Sequence, residues 1–164
     1  MQGQEILQHM MDDHARLRAE LRESEAALEQ SCGSSYAQCQ HALVLLRELC
    51  RALAFECQHH FREEEAVLYA MVEFRLPRLR GLVGELRIEH DAFRQALEEL
   101  RRELVRFDAT GELGRMPQQG RELVRMMRRH LDREENELHP VVLREFGESD
   151  WHELSRLHAD SQVA

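Results

Sequence analysis

The sequence predicts an all-α protein, an up-down-up-down antiparallel four-helix bundle with a candidate short fifth helix at its C-terminal end. Leu, Glu, Arg and Ala dominate the composition, aromatic residues contribute only 5%, and there are three prolines, a balance that favours long helices over strands. Clusters of turn-forming residues divide the chain into four segments. Within each segment, apolar residues recur at steps of three and four, as they do on one face of an α-helix.

The predicted breaks between helices fall where Gly, Pro and small polar residues cluster. They lie at residues 31–35, 76–77, 108–120 and 147–149. We therefore expect one bundle domain over residues 1–147 and a tail over residues 148–164, with Ser149 as a candidate helix cap and Trp151 as an anchor. Short connections make consecutive helices of such a bundle antiparallel.

Each predicted helix carries one stripe of residues, here called its seam, that should face the core. The first two seams comprise Ile6, Met10, His14, Leu17, Leu21 and Leu28, and then Cys39, Leu43, Leu46, Cys50, Leu53, Cys57, His60, Glu64, Leu68 and Met71. The last two comprise Val83, Leu86, His90, Phe93, Leu97, Leu100 and Leu104, and then Leu123, Met127, His130, Glu134, Leu138 and Val141.

Every seam contains one histidine at a position that its periodicity otherwise fills with an apolar residue. These histidines are His14, His60, His90 and His130. A bundle core tolerates a few hydrogen-bonded histidines, and with ten histidines in the chain one or two on seams would be unremarkable. One on each of four helices points instead to a metal site.

Two seams also carry a glutamate one turn after the histidine, in the pairs His60/Glu64 and His130/Glu134. A buried carboxylate must be paired or bound to a metal, because desolvating an isolated charge costs several kcal/mol or more. At a spacing of four residues the two side chains lie only about 40° apart around the helix, so both can reach one ion.

The two pairs lie in an internal repeat. Residues 60–68 match residues 130–138 as H-Φ-x-x-E-E-x-x-L, where Φ is apolar, and residues 14–21 match residues 90–97 as H-x-x-Φ-R-x-x-L. The chain thus reads as two helical hairpins, each supplying one lone histidine and one His/Glu pair. Such twofold pseudo-symmetry predicts two metal ions.

These residues resemble the hemerythrin-like, or HHE cation-binding, family over about residues 5 to 145. The motifs that carry the resemblance are Asp13-His14, His60 to Glu65, Glu89-His90 and His130 to Pro140. The resemblance implies a four-helix bundle with a centre of two iron ions, in which Glu64 and Glu134 bridge the irons beside an oxo or hydroxo group. Zn or Mn are alternative metals for imidazole and carboxylate donors.

One position departs from the oxygen-carrying members of that family. Their third helix supplies two histidines as H-x-x-x-H, whereas the residue four after His90 is Arg94. Four histidines and two glutamates are similar instead to iron-centre repair proteins and regulatory hemerythrin-like domains, where an iron keeps an open position for a small ligand.

The leading hypothesis is therefore a di-iron protein that binds or reacts with O2, NO or peroxide, with a role in oxygen or nitrosative stress handling or sensing. The alternative is a metal-dependent regulatory module whose di-metal site orders the bundle; oxygen storage ranks lower, and a bundle without metal lowest. No acid, base or nucleophile constellation is visible beyond the metal ligands. Whether the protein is an enzyme is left open, and no catalytic residue is assigned.

Composition excludes several other functions. The net charge is −9, so nucleic acid is not an expected partner. All 22 basic residues are Arg, which excludes lysine Schiff bases and Walker-type phosphate loops. The chain shows no signal peptide and no apolar run long enough for a membrane span, so we expect a cytoplasmic protein with no membrane partner. Its four cysteines follow no CxxC spacing, and we expect them to be reduced thiols.

Several other residues have less specific interpretations. Cys57 lies one turn before His60, where a small apolar core residue is favoured over a redox-active or metal-proximal thiol. A single E-x-x-H at Glu56–His59 falls short of the two copies that ferritin-like centres need. The histidines off the seams are interpreted as surface or outer-shell groups. They are His9, His41, His59, His139, His152 and His158.

Overall fold

The computed structural model describes residues 3–30, 36–112 and 114–162, with the side chains of these residues except 27–30, 36–39, 41–42 and 56–57. Within these ranges the protein is helical and contains no strand. The elements are α1 (Gly3–Gln30), α2 (Tyr36–Glu63), the π-helical segment π1 (Glu64–Leu68), α3 (Tyr69–Arg75), a 3₁₀ turn (Pro77–Leu79), α4 (Arg80–Thr110), α5 (Met116–Arg133), the π-helical segment π2 (Glu134–Leu138), α6 (His139–Glu145) and α7 (Glu148–Ser161). The predicted all-α class is confirmed.

Helix ends follow local backbone chemistry. Leu76, at φ −124° and ψ 67°, leaves the helical region before Pro77, as the steric demand of a following proline requires. Gly111 adopts a left-handed φ of 72° and donates its N–H to the carbonyl of Phe107, which caps α4. The predicted turn at residues 31–35 lies outside the described residues.

The fourth long helix begins earlier than the break at 108–120 suggests. It starts at Met116, with Pro117 in its first turn, where a residue without an N–H costs no helical hydrogen bond. Gly120 lies buried inside this helix and does not end the loop. The cluster of turn-forming residues therefore marked the connection correctly but overestimated its length.

The long helices form a bundle in which α1 packs against α2 and α5, and α4 packs against the same two helices. Two apolar clusters fill the core. One extends from Leu17 and Leu21 to Met127 and Leu131, and the other contains Ile6, Leu7 and Met10 of α1 together with residues of α3, α6 and α7. Six buried His and Glu side chains from the long helices lie between the two clusters, at the level of His14 in α1.

Both π-helical segments begin at a glutamate of the internal repeat. The N–H of Tyr69 bonds to the carbonyl of Glu64, and the N–H of His139 bonds to the carbonyl of Glu134, both at the i→i+5 spacing of a π-helix. Pro140, just after π2, has no amide hydrogen for a helical hydrogen bond, but its counterpart Ala70, just after π1, has one. A missing amide hydrogen therefore does not explain both π-helical segments. Such segments inside α-helices frequently occur at functional sites.

The C-terminal helix α7 packs against α1, π1 and α3. Its Trp151 is buried, as the sequence predicted for an anchor, and lies 5.2 Å from Phe146 between ring centroids. The expected Ser149 cap is wrong: the helix begins at Glu148, and the carboxylate of Asp150 accepts the N–H of Gly147 at 2.9 Å. The Asp150 carboxylate caps the helix instead of Ser149 because Asp150 is the third residue of the helix, from which its side chain reaches back to the N-cap amide.

Among the described residues, no helix is both long enough and apolar enough to cross a membrane.

Candidate metal centre

The six residues singled out on the seams converge in the middle of the bundle. They are His14, His60, Glu64, His90, His130 and Glu134, and each is at most 4% exposed. α1 and α4 each contribute a lone histidine, whereas α2 with π1 and α5 with π2 each contribute a His/Glu pair. The structure therefore brings all six predicted side chains together.

One half of the cluster combines His14 and His60 with both glutamates. His60 Nε2 lies 3.0 Å from Glu64 Oε1, and His14 Nε2 lies 3.3 Å from both Glu64 Oε1 and Glu134 Oε2. Donor atoms of these four residues all lie within 4.8 Å of one another. This is the more complete of the two halves.

The other half combines His90 and His130 with Glu64. His90 Nε2 lies 3.4 Å from Glu64 Oε2 and 2.9 Å from His130 Nε2, and the three residues form a second group of donors within 4.8 Å. His130 Nε2 also lies 3.3 Å from Glu134 Oε2. Each glutamate therefore lies between a histidine of one half and a histidine of the other.

All four imidazoles turn Nε2 toward the centre and Nδ1 toward an outer carboxylate. The Nδ1 atoms of His90 and His130 lie 2.7 Å from Glu65 and 3.0 Å from Glu89. Those of His14 and His60 lie 3.4 Å from Glu135 and 4.0 Å from Asp13. A carboxylate behind a ligating histidine fixes its ring orientation and raises its basicity. A further acid near the centre, Glu63, instead lies 2.6 Å from Nδ1 of His158.

Arginines hold these outer carboxylates in turn. Arg18 donates to Glu135 at 3.0 and 3.1 Å, and Arg94 donates to Glu65 at 2.8 Å. The two arginines are the R of the repeat H-x-x-Φ-R-x-x-L, so pairing with an outer carboxylate accounts for this repeated position in both halves. Arg94, which stands where an oxygen carrier has its fifth histidine, thus points to an outer carboxylate and not to the centre.

Tyr69 joins the cluster although it lies on no predicted seam. Its hydroxyl donates to Glu134 Oε1 at 2.5 Å and lies 3.5 Å from His90 Nε2, and its ring is fully buried. In an α-helix the fifth residue after Glu64 would point about 140° away from it. The π-helical turn brings that residue back over the glutamate, which an α-helical periodicity could not predict.

His139 occupies the equivalent place after Glu134. It is 1% exposed, and its ring lies 5.2 Å from the ring of His14. Burial lowers the pKa of His139, so its ring is neutral at pH 7. The sequence interpreted this residue as a surface or outer-shell group, and the surface alternative is wrong. One signal was available: residues 69 and 139 are 70 positions apart, the same offset that relates His60 to His130.

The centre holds strongly perturbed charges. Burial would lower the pKa of His14, but its contacts with Glu134 and Glu64 outweigh desolvation and raise the pKa to about 10. For His130, contacts with Glu134 and Glu89 likewise overcome desolvation and raise the pKa to about 10. Burial and the charge of Glu64 would raise the pKa of Glu134, yet His130 and His14 hold it at about 2.

The donor set fits a metal cation better than a hydrogen-bonded network. Glu64 Oε2 and Glu134 Oε2 are buried and make no hydrogen bond with any described group, although imidazole nitrogens approach at 3.3–3.4 Å. Good N–H···O bonds are about 2.9 Å long. Donors about 2.1 Å from one ion and at right angles to each other lie about 3 Å apart, which resembles the spacing seen here. Nitrogen and oxygen donors suit Fe, Zn or Mn.

Residues 5–142 match the model of the hemerythrin HHE cation-binding domain. The chain belongs to the hemerythrin HHE family. The match covers α1 to α6 up to Val142 and includes all six central residues. No curated protein shows significant similarity to the chain. The family assignment and the buried His/Glu groups together make this hemerythrin-like protein a cation-binding helical bundle.

Other residues weighed in the sequence lie apart from the centre or outside the described set. The side chains of Glu56 and Cys57 are not among those described, so the thiol and E-x-x-H hypotheses remain predictions. Cys50, a buried seam residue, belongs to the apolar core, and burial raises the pKa of its thiol to about 11. His59 is exposed and lies against Phe55, with ring centroids 4.3 Å apart.

Proposed function

We propose that the protein is a non-haem di-iron protein whose centre binds or reacts with a small ligand: O2, NO or peroxide. The proposed ligands are His14, His60, Glu64, His90, His130 and Glu134. The single observation that carries the proposal is that Glu64 and Glu134 each lie within 3.4 Å of histidines from both halves. A carboxylate that lies between imidazoles of both halves supports a centre of two ions.

Iron is the proposed metal because the family resemblance adds to what the donors allow. Imidazole with carboxylate also accepts Zn or Mn, and the donors alone do not distinguish them. Two iron ions held by these residues would supply Lewis-acid and one-electron redox chemistry at the centre.

The residues of the chain then have separate tasks. Glu65 and Glu89 hydrogen-bond to Nδ1 of His90 and His130 and so orient these two rings with Nε2 inward. Glu135 and Asp13 lie behind Nδ1 of His14 and His60, at 3.4 and 4.0 Å. Four histidines shared between two ions would leave a coordination position free for an outside ligand, whereas a fifth histidine would occupy such a position. The apolar clusters on either side limit the access of water.

Two surface pockets offer routes to the centre. One of about 510 Å³ is lined by Asp13 and His60, and another of about 420 Å³ is lined by Glu89 and His130. Each pocket reaches the edge of one half of the cluster. Diatomic molecules and peroxide are small enough to pass between side chains at such places, which supports a role in oxygen or nitrosative stress handling or in sensing.

We also infer the up-down-up-down topology, with residues 1–147 as the bundle and residues 148–164 as its tail. Pairs between neighbouring helices support it. Arg18 pairs with Asp132 and Glu135, and Glu25 pairs with Arg128, so sequence number rises along α1 as it falls along α5. Likewise, Arg87 pairs with Glu73 and Arg94 with Glu65 across the second and third long helices.

The proposal is tested by metal analysis of protein loaded with ferrous iron under anaerobic conditions. We expect two irons per chain, with optical and EPR changes when the reduced protein meets O2 or NO. His60→Ala and Glu134→Ala should each lower the iron content. His152→Gln, which changes an exposed histidine far from the centre, is the matched control. Two irons retained in both ligand variants, or well under two in the parent, would refute the proposal.

A metal-dependent regulatory module is the second candidate, and one contact favours it. α7 packs on π1, and His158 Nδ1 lies 2.6 Å from Glu63, the residue before the proposed ligand Glu64. A change at the centre could therefore alter how α7 docks. Hydrogen exchange with and without iron distinguishes the two functions, because only the module requires a large change in the protection of α7 amides.

A further inference from the structure

His139 is a buried histidine that the proposed ligand set does not use. It is 1% exposed, and neither ring nitrogen has a hydrogen-bond partner among the described residues. A buried polar group without a partner costs about 1–3 kcal/mol, so its retention in this position requires a reason. Its ring lies beside His14, with planes inclined by 32°.

His139 is not placed as a seventh metal ligand. Donor atoms of His14, His60, Glu64 and Glu134 form one compact group, and neither nitrogen of His139 belongs to it. The imidazole is thus close to this half of the cluster but set back from it. A group set back from the donors can contact what an ion binds, without binding the ion.

The other half of the cluster holds a tyrosine at the equivalent position. Tyr69 and His139 both follow a π-helical turn, each donating its backbone N–H to the glutamate five residues earlier. The phenol of Tyr69 reaches Glu134 and lies beside His90. It therefore occupies the space next to its own half of the cluster.

An imidazole is shorter than a phenol, so His139 stops short of the carboxylates where Tyr69 touches them. The pseudo-symmetry of the ligands is thereby broken in one place. Next to His90 the space is filled by a hydroxyl already bonded to Glu134, whereas next to His14 two ring nitrogens are left without hydrogen bonds. This asymmetry between Tyr69 and His139 favours the half beside His14 as the side on which a ligand binds.

We propose that the small ligand binds on the His14–His60 side of the centre and accepts a hydrogen bond from His139, while the phenol of Tyr69 fills the space next to His90. This inference rests on the proposed di-metal function and deepens it, because it assigns the ligand to one of two otherwise similar halves. His139 acts as a positioning residue for an anion or a polar diatomic molecule. The structure offers no second described histidine in such a place.

The test uses azide as the probe and the oxidised, iron-loaded full chain as the protein. Azide affinity is measured by optical titration, and iron content is measured on the same samples. His139→Phe keeps a buried ring but removes the donor, and we expect two irons per chain with azide affinity reduced about tenfold or more. His139→Gln restores a donor and should recover much of that loss.

His152→Gln, which changes an exposed histidine on α7, is the control, and it should change azide affinity less than twofold. Equal affinity for azide in His139→Phe and the parent would overturn the proposal, and so would an equal loss in the His152 variant. Loss of an iron from both His139 variants would also overturn it, since His139 would then be a ligand. A parent protein that binds no iron pair would instead refute the proposed function itself.

Discussion

Filling the metal centre should release protons, because two of the histidines that would bind metal, His14 and His130, are held in their charged form. The pKa values of His14 and His130 are raised to about 10, so at pH 7 both are protonated in the metal-free protein. Three pH units correspond to about 4 kcal/mol per histidine, and removing both protons therefore costs about 8 kcal/mol. Metal ligation requires neutral imidazole. Saturation with metal at pH 7 should thus release at least two protons per chain.

The number of protons is measured by isothermal titration of metal-free protein with Zn²⁺, which avoids oxidation. Titrations at pH 7 in two buffers of different ionisation enthalpy give the count from the difference in observed heat. The same linkage predicts that the logarithm of the apparent affinity rises by about two per pH unit between pH 7 and pH 9.

A count below one proton per chain would show that the two histidines are already neutral at pH 7, and the reasoning from their carboxylate contacts would be wrong. His152→Gln is the appropriate control, since this exposed histidine lies on α7 and should leave the count unchanged.

Three further outcomes are expected. The first concerns His14 and His130, whose pKa in the folded protein exceeds the unfolded value of about 6.5. Their charged forms therefore stabilise the metal-free protein below pH 6.5, and this stabilisation is lost as the pH rises toward 10. The melting temperature of the metal-free protein in calorimetry should fall over this range. Tyr69→Phe leaves Glu134 Oε1 without its donor and should lower the free energy of unfolding in urea by about 1–3 kcal/mol. Gly3→Ala would place a Cβ 2.2 Å from the carbonyl oxygen of Trp151, so fluorescence of this single tryptophan should report displacement of α7.

Each outcome has a measurement that would contradict it. A melting temperature that rises from pH 6.5 to pH 10 in the metal-free protein opposes the first. An unchanged urea midpoint and slope in the tyrosine variant opposes the second. For the third, Gly84→Ala is the control because nothing lies within 4 Å of its added Cβ, and identical spectra of the two variants would contradict the predicted clash.

The sequence predicted the α-helical seams well where the helix is regular. All seven predicted positions of α4, from Val83 to Leu104, are buried, because an uninterrupted α-helix keeps one face toward the core over its whole length. The six central residues were found for the same reason. His14, His60, His90 and His130 precede any irregularity on their helices, and each glutamate is the first residue of its π-helical segment.

Prediction failed where the helical period changes. Val141 was expected on the fourth seam, but Val142 is the fully buried residue there, one position later and just after π2. Tyr69 and His139 were missed by the same error of one residue. Spacing arguments assume about 100° per residue throughout, and nothing in local propensity indicates where a helix takes up an extra residue.

The π-helical turns also determine how a change of helix type would act at the centre. Deleting one residue from Glu65 to Leu68, or from Glu135 to Leu138, would restore an α-helix without altering any of the six donors or the spacing between them. Tyr69 or His139 would then be the fourth residue after its glutamate and would still lie over it, as the fifth residue of a π-helical turn does. An α-helix of unchanged length would instead rotate the residues that follow by about 100° and turn a different side chain toward the centre. Related chains that keep this length but lose the π-helical turn could therefore keep the same six donors and differ in what reacts there.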